Sequence, residues 1–271
     1  MAEYEMIALD LDGTLTNRDK IITPRTKKRL KELQERGKKV VLASGRPTAG
    51  VLPIARELEL EKYGSYILSF NGGMITDCRS GEILFSRLLP LESNRRIIGL
   101  AEKEQVGILS YSPDGTLLLT NQSESPYALL ETKINHMTLC QVDDMAARMT
   151  YRVPKFLMLE DGDYLAMVEP RVKAALGKQF SVYRSEPFFL EILPRGIDKA
   201  QSLERLLERI GLSREQMIAC GDGYNDLTMI RYAGLGVAME NAVLPVRKAA
   251  DYITRSNNDD GVADVIERFM L

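Results

Sequence analysis

Residues 7–15 read IALDLDGTL and place two aspartates, Asp10 and Asp12, at the end of an apolar run. Such a run predicts a buried β-strand, and the ligands of open α/β sheets bind beyond the carboxyl ends of the strands. Gly13 follows directly and permits a tight turn. Two carboxylates this close repel one another, so either one is protonated or a cation lies between them. Oxygen ligands of this kind favour Mg²⁺.

Two other interpretations of this stretch are a calcium-binding EF-hand loop and an Asx turn. An EF-hand loop beginning at Asp10 needs glycine at its sixth position and glutamate at its twelfth, where the sequence has Leu15 and Ile21. The calcium interpretation is therefore excluded. Capping of a turn by an aspartate side chain stays an alternative for the stretch taken alone.

A second acidic group follows another apolar strand, in the segment CGDGYNDLTMI at residues 220–230. By the same topology Asp222 and Asp226 lie beyond a carboxyl strand end, where they can face Asp10 and Asp12. Taken alone, the segment can also be a turn in which Asp226 caps a helix. Two acidic strand ends in one sheet favour a metal site shared between them.

A third motif, LASGRP at residues 42–47, ends the second predicted strand. Ser44 supplies a hydroxyl and Gly45 exposes a backbone N–H, so both can bind an anion near a helix N-terminus. Arg46 adds a fixed positive charge. The alternative is that Ser44 is a plain helix N-cap.

Lys199 begins a later predicted helix, directly after Asp198. The helix dipole disfavours a cation at this end, so the lysine indicates an anionic partner. Most lysines serve only to solvate the surface, and that interpretation stays open for the residue taken alone.

The order of predicted elements indicates a split α/β fold. Strands alternate with helices at the beginning of the chain, which is typical of βαβ units and a mainly parallel sheet. The middle of the chain predicts hairpins interspersed with helices. The segment FLEILP at residues 189–194 then predicts a return to the parallel pattern. We expect a Rossmann-like, doubly wound core in residues 1–83 and 189–271, with an inserted α+β domain in residues 84–188.

Composition excludes several classes of protein. The 271 residues carry a net charge of -2, so there is no basic excess to bind nucleic acid. No stretch is apolar enough for a membrane helix, and the N-terminus lacks the features of a signal peptide. Cys78, Cys140 and Cys220 are widely spaced, which is typical of reduced thiols in a cytoplasmic protein. His136 is the single histidine, so proton transfer falls to carboxylates.

Together, DLDGT, the Ser-Gly of LASGRP, a later lysine and GDGYND resemble, in this order, the four motifs of the haloacid dehalogenase superfamily phosphatases. The stretches SFNGG (69–73), FLEI (189–192), AGLGVAM (233–239) and ENA (240–242) resemble the Cof-type subfamily with a type IIB cap. The likeness covers nearly the whole chain and is greatest to the YidA-like sugar phosphatases. Ala200 and Tyr224 depart from the usual pattern without removing a catalytic group.

The resemblance implies that Asp10 attacks phosphorus and forms an aspartyl-phosphate. Asp12 would protonate the leaving oxygen and then deprotonate the attacking water. The implied Mg²⁺ site consists of the Asp10 carboxylate, the Asp12 backbone carbonyl and Asp222, with Gly223 and Asp226 nearby. The implied groups for the phosphoryl oxygens are the N–H groups of Leu11 and Gly45 and the side chains of Ser44, Lys199 and Asn225. Arg46 and Asn71 would face the leaving group or the cap interface.

These inferences predict a soluble, cytoplasmic, Mg²⁺-dependent phosphatase that acts on small phosphate monoesters, with sugar phosphates as the expected substrates. The insert would be a cap that closes over the site, excludes water and recognises the leaving group. The expected partner is a small phosphorylated metabolite, with neither nucleic acid nor membrane involved. The alternatives are a phosphomutase with the same nucleophile and a catalytically silent sugar-phosphate-binding protein.

Overall fold

The structure is a computed structural model that describes residues 4–271. It divides into two compact units, one formed by the described residues up to Phe85 with Ile197–Leu271 and the other by Ser86–Gly196. The strands of the described residues are β1 Met6–Leu9, β2 Lys39–Ala43, β3 Tyr66–Ser69, β4 Met74–Asp77, β5 Ile83–Ser86, β6 Gly107–Tyr111, β7 Leu117–Thr120, β8 Thr138–Gln141, β9 Phe156–Leu159, β10 Phe180–Glu186, β11 Phe189–Pro194, β12 Met217–Gly221, β13 Leu235–Ala238 and β14 Tyr252–Ile253.

Helices connect these strands in both units. Within residues 4–271, each of them is too short or too polar to span a bilayer. The α-helices of the described residues are α1 Pro24–Glu35, α2 Thr48–Glu57, α3 Leu60–Tyr63, α4 Asn94–Lys103, α5 Pro126–Asn135, α6 Met145–Arg148, α7 Gly162–Leu176, α8 Lys199–Ile210, α9 Leu227–Tyr232, α10 Leu244–Ala249 and α11 Gly261–Phe269.

The first unit is built on a sheet whose strand order is β14-β13-β12-β1-β2-β3-β4-β5. The strands from β14 to β3 are parallel, and β4 pairs antiparallel with β3. The chain order reverses beside β1, which lies between β12 and β2. This is the topological switch point at which doubly wound sheets bind their ligands. The prediction of a Rossmann-like, doubly wound and mainly parallel core is therefore confirmed.

Helix α8 carries the predicted lysine because its sequence fixes both its ends and its buried face. The side chain of Asp198 caps the N-terminus by accepting a hydrogen bond from the Gln201 N–H at 3.0 Å. Gly211 ends the helix in the left-handed conformation, at φ 73°. The buried leucines recur at helical spacing and form one apolar face. The first position of the helix, Lys199, is fully buried as well.

The second unit is an α+β module with a sheet of strand order β10-β11-β9-β6-β7-β8. Its strands pair antiparallel except for β7 and β8, which are parallel. Helices α4 and α7 contact this sheet. A separate apolar core, which includes Ile108, Phe156, Leu190 and residues of both helices, holds the unit together.

The prediction that FLEILP returns to the parallel core sheet is wrong. These residues form β11, which pairs antiparallel with β9 and β10 inside the second unit. All six residues are buried, and apart from Glu191, which forms a salt bridge with Lys155 at 3.2 Å, the strand is an apolar run of the kind that is typical of a parallel core strand. The second unit consequently runs over Ser86–Gly196, rather than over the expected residues 84–188.

Candidate active site

Strand register brings the predicted motifs to one edge of the core sheet. Leu9, the last residue of β1, pairs with Cys220 of β12 on one side and with Leu42 of β2 on the other. The residues that follow these three positions therefore leave the sheet side by side. They are Asp10 after β1, the GDG turn after β12 and the Ser-Gly pair after β2.

Asp10 lies in a buried group of charged side chains around Lys199. The ammonium of Lys199 donates to Oδ1 of Asp10 and to Oδ1 of Asp226, both at 2.6 Å, and to the Ala43 carbonyl at 2.7 Å. These three acceptors match the three donors of an ammonium group. The anionic partners that the sequence position of Lys199 indicated thus include two carboxylates of the protein itself.

Asp226 also fixes the turn that carries Asp222. Its Oδ2 accepts the backbone N–H groups of Asp222 and Gly223, both at 2.9 Å. The Asp222 carboxylate in turn accepts a hydrogen bond from the Thr14 hydroxyl at 2.8 Å. Through these contacts the turn after β12 and the turn after β1 are held against each other.

Gly13 is required at this junction for two separate reasons. Its φ of +86° lies in the region that favours glycine. In addition, a Cβ at this position would lie 2.3 Å from Oδ2 of Asp222, far inside contact distance. Any side chain at Gly13 would therefore displace the Asp222 carboxylate.

Three carboxylates and one ammonium share the cluster, so its charges do not balance when all of its acids are ionised. Burial, reinforced by the charge of Asp226, raises the pKa of Asp10 to about 8, although Lys199 acts in the opposite direction. Burial also raises the pKa of Asp222 to about 6. Burial alone would lower the pKa of Lys199, but Asp10 and Asp226 outweigh it and raise that pKa. The raised pKa values of Asp10 and Asp222 mean that both carboxylates bind a proton more readily here than in water, and a metal cation could take the place of that proton.

The residues present fit a divalent metal ion. Asp10, Asp222 and Asp226 each offer a carboxylate oxygen, and these oxygens lie within 4.8 Å of one another. Carboxylates are the ligands that Mg²⁺ prefers among side chains. Asp226 already accepts hydrogen bonds from Lys199 and two backbone N–H groups. Asp10 and Asp222 are therefore the better direct ligands, with Asp226 orienting them.

Asp12 has a different environment from Asp10. Arg46 binds its carboxylate in a bidentate manner, with distances of 2.9 and 2.6 Å, and Lys20 donates to it at 2.7 Å. Burial acts to raise the pKa of Asp12, but the hydrogen bonds from Arg46 and Lys20 outweigh it and lower that pKa. Arg46, which we expected to face the leaving group or the cap interface, binds Asp12 through its guanidinium in this structure.

The other predicted phosphate-binding residues with polar groups, Ser44, Gly45, Asn71 and Asn225, lie together beyond the end of β2. Ser44 is buried, and its hydroxyl accepts the Arg46 N–H at 3.1 Å. Asn225 donates its side-chain amide to the Asn71 carboxamide oxygen at 3.1 Å. A Cβ on Gly45 would lie 3.1 Å from that same oxygen. Leu11, between the two aspartates, is fully buried.

Two contacts of the site were not foreseen from the sequence. Lys20 lies eight positions after Asp12, in the loop before α1, and an isolated lysine there resembles any surface lysine. Thr14 belongs to the quoted motif, so its position beside the aspartates was an available signal. Its hydroxyl holds Asp222, a residue of the other acidic motif.

Similarity to known proteins agrees with this geometry. The family described as haloacid dehalogenase-like hydrolase matches residues 7–266. The chain belongs to this family. Its membership confirms the resemblance given by the four motifs, and it confirms the prediction of an enzyme, because the family is one of hydrolases.

Individual members of the family align over nearly the whole chain. A crystal structure of a haloacid dehalogenase-like hydrolase from Bacteroides thetaiotaomicron is 47% identical, with a TM-score of 0.94 over 98% of this chain and 99% of that one. The 5-amino-6-(5-phospho-D-ribitylamino)uracil phosphatase YcsE of Bacillus subtilis is 30% identical over 99% of this chain and 97% of its own. A subclass IIB sugar phosphatase of the superfamily, 22% identical over 98% of each chain, shares the fold with a TM-score of 0.79.

Proposed function

We propose that the protein is a phosphatase that hydrolyses small phosphate monoesters through a phosphorylated Asp10, with Mg²⁺ as cofactor. The observation that carries this proposal is the contrast between two aspartates separated by one residue. Asp10 lies in a buried, over-negative cluster with Lys199, whereas Asp12 is an ion-paired carboxylate with 38% of its side chain exposed. One aspartate is thus suited to covalent attack, and the other to exchange protons with substrate and water.

In the first step an oxygen of the ionised Asp10 carboxylate attacks phosphorus, the bond from phosphorus to the leaving oxygen breaks, and that oxygen takes the proton of a protonated Asp12. Arg46 and Lys20 hold Asp12 as a carboxylate, so these contacts must loosen for the proton to be carried. In the second step Asp12 accepts a proton from the water that attacks the phosphorylated Asp10. Lys199 keeps the Asp10 carboxylate in a fixed orientation through its three hydrogen bonds.

Bound Mg²⁺ would neutralise the repulsion between carboxylate and phosphate and align the reacting groups. We assign it to the Asp10 carboxylate, the Asp12 backbone carbonyl and Asp222, with Gly223 and Asp226 supporting the turn. The groups that we assign to the transferring phosphoryl oxygens are the N–H groups of Leu11 and Gly45 and the side chains of Ser44, Lys199 and Asn225. Lys199 would exchange one of its three protein acceptors for a phosphoryl oxygen.

Sugar phosphates and related polyol phosphates are the substrate class that we propose. The relative named above as a ribitylaminouracil phosphatase acts, by its name, on such an ester. We assign recognition of the leaving group to the second unit, Ser86–Gly196. When this unit is replaced with a short glycine-rich linker, we expect the protein still to release phosphate from small esters but to lose its selectivity among them. Unchanged selectivity would contradict the assignment.

The activity is tested by phosphate release from a panel of sugar, polyol and nucleotide phosphates with Mg²⁺ present. Acid quenching with a radiolabelled ester should give a protein-bound label that hydroxylamine removes and that maps to the peptide containing Asp10. A sugar bisphosphate separates phosphatase from phosphomutase, because a mutase returns an isomerised ester instead of free phosphate. Tight binding without release from any ester would indicate a catalytically silent sugar-phosphate-binding protein and contradict the proposal.

A further inference from the structure

The turn after β3 has an unusual backbone. Phe70, Asn71 and Gly72 all have positive φ values, of 53°, 56° and 99°. Residues other than glycine rarely adopt this conformation, and a bulky residue such as phenylalanine is an outlier there. Such backbone persists only where the surrounding structure holds it in place, and it is enriched at functional sites. We call these three residues the Phe70–Gly72 turn.

One side of the Phe70–Gly72 turn holds the loop after β2. The Asn71 N–H donates to the Ser44 carbonyl at 2.9 Å, and the Phe70 N–H donates to the Arg46 carbonyl at 3.0 Å. Between these two anchors lies Gly45, where an added Cβ would meet the Asn71 carboxamide at 3.1 to 3.2 Å. The turn therefore fixes the backbone from which the Gly45 N–H is presented.

The other side of the turn holds the N-terminus of α8. Ser202 is buried, and its hydroxyl donates to the Gly72 carbonyl at 2.6 Å. Ser202 lies one helical turn after Lys199, so this bond sets the position of the lysine along the sheet edge. The fit is close, because a Cβ on Gly72 would lie 2.6 Å from the Asp198 carbonyl.

A third segment reaches the same turn through a side chain. Asn225, from the GDGYND motif, donates to the Asn71 carboxamide oxygen at 3.1 Å. The Phe70–Gly72 turn is thus bonded to the segments that carry three of the groups assigned to the phosphoryl oxygens, namely Gly45, Lys199 and Asn225.

We infer that Asn71 and Ser202 are positioning residues, which hold these three phosphoryl-binding groups in register without themselves contacting the phosphoryl group. The inference rests on the proposed function, since it concerns the same site. In phosphoryl transfer the protein contributes chiefly alignment and charge. Catalysis therefore requires that each binding group stays within a fraction of an ångström of its productive position.

Two variants separate positioning from folding. Asn71→Gly tolerates the positive φ and removes the whole side chain with its carboxamide, while Ser202→Ala removes only the hydroxyl. Each is expected to lower kcat roughly 10- to 100-fold, because misplacement of about 1 Å can cost 100-fold, and to change KM by less than about threefold. The matched control is Gln201→Ala, an exposed neighbour of Ser202 on the same helix, which should retain wild-type kcat.

Affinity for orthovanadate in the presence of Mg²⁺, measured by calorimetry, gives a readout independent of turnover. Both variants should bind it at least about tenfold more weakly than the wild type, at temperatures well below their melting temperatures. Wild-type kcat and vanadate affinity in both variants would overturn the inference, as would losses that merely follow the unfolded fraction. If the wild type hydrolyses no ester but the variants still lose vanadate affinity, the proposed function fails and the positioning role stands.

Discussion

Lys199 and Asp10 are separated by 189 positions in the chain, yet the lysine ammonium donates to Oδ1 of the aspartate at 2.6 Å, and both groups are buried. The same ammonium also binds Asp226, so one positive charge is shared between two carboxylates. Asp222 adds a third carboxylate to this group. The site therefore has a formal negative excess when all three acids are ionised, which protonation of Asp10 or a bound metal ion would relieve.

Asp10→Asn is expected to abolish turnover and to leave the fold intact. The amide cannot form the acyl-phosphate, so we expect phosphate release to fall by at least about 1,000-fold. Because the raised pKa of Asp10 shows that burial disfavours its charge, the metal-free variant should be at least as stable as the wild type at neutral pH. Phosphate release and urea unfolding in EDTA measure the two effects. Residual hydrolysis above a few per cent would contradict the covalent role.

Lys199→Met should destabilise the protein strongly in the absence of metal. The substitution leaves Asp10 and Asp226 buried without their cation, and removing one partner of a buried ion pair typically costs about 3–5 kcal/mol. Urea unfolding in EDTA measures the loss. In the double variant with Asp10→Asn, the two single effects should not add, because one of the unpaired charges is gone. Simple additivity would show that the lysine does not interact energetically with Asp10.

The sequence predicted which residues meet at the site better than it predicted their individual contacts. Strand topology places Asp10, Asp12 and Asp222 at one edge of the core sheet, whereas Lys199 follows β11 of the other sheet and reaches Asp10 from the start of α8. The partner of Arg46 was not predictable, because a guanidinium can reach an acid of the protein or a ligand with equal ease. Which partner it binds depends on side-chain packing, and single motifs do not encode that.

The fold, like the site, was predicted only in part from the sequence. The βαβ pattern was sufficient to predict the doubly wound core. The strand Phe189–Pro194 was assigned to the wrong sheet because a strand that is buried on both faces reads the same in either sheet. The last helix, α11, was not foreseen, although its buried face packs against the core. Long-range pairing decides the sheet of the strand, whereas the helical spacing of Val262, Val265 and Ile266 was an available signal for α11.

The stability of the metal-free protein should depend on pH through Asp10. Its pKa in the folded protein, about 8, lies above its ordinary value of 3.8, so folding favours the protonated acid. The contribution of Asp10 to the free energy of unfolding is then fully present below about pH 4 and is lost as the pH rises to about 8. We expect the stability of the wild type relative to Asp10→Asn to fall over this range in EDTA. Saturating Mg²⁺ should abolish or reverse the trend, and a flat difference in EDTA would show that burial does not raise the pKa of Asp10.

Lys20→Met should move the pH dependence of catalysis in a defined direction. Lys20 and Arg46 lower the pKa of Asp12, so removing the lysine raises that pKa toward its ordinary value. Where Asp12 acts as the acid, activity falls as the pH rises above its pKa, and the limb of the kcat/KM profile that reports Asp12 should move to higher pH. The matched control is Lys27→Met, whose lysine pairs with Glu57 at 3.1 Å away from the site. A limb that stays in place would show that Lys20 does not influence Asp12 during turnover.

Gly13→Ala and Gly37→Ala form a pair that separates backbone strain from displacement of a metal ligand. The two glycines have nearly equal φ values, +86° and +84°, so alanine should cost each backbone about 1–2 kcal/mol. Within the described residues, a Cβ on Gly37 meets no heavy atom within 4 Å beyond its chain neighbours, whereas one on Gly13 would lie 2.3 Å from Oδ2 of Asp222. Gly13→Ala alone should therefore weaken Mg²⁺ binding, by at least about tenfold, because one of two direct carboxylate ligands is displaced. Titration calorimetry with Mg²⁺ measures the affinities, and urea unfolding in EDTA measures the strain. Equal Mg²⁺ affinity in the two variants would show that Asp222 is not a metal ligand, because Gly37→Ala controls for the backbone strain that both variants share.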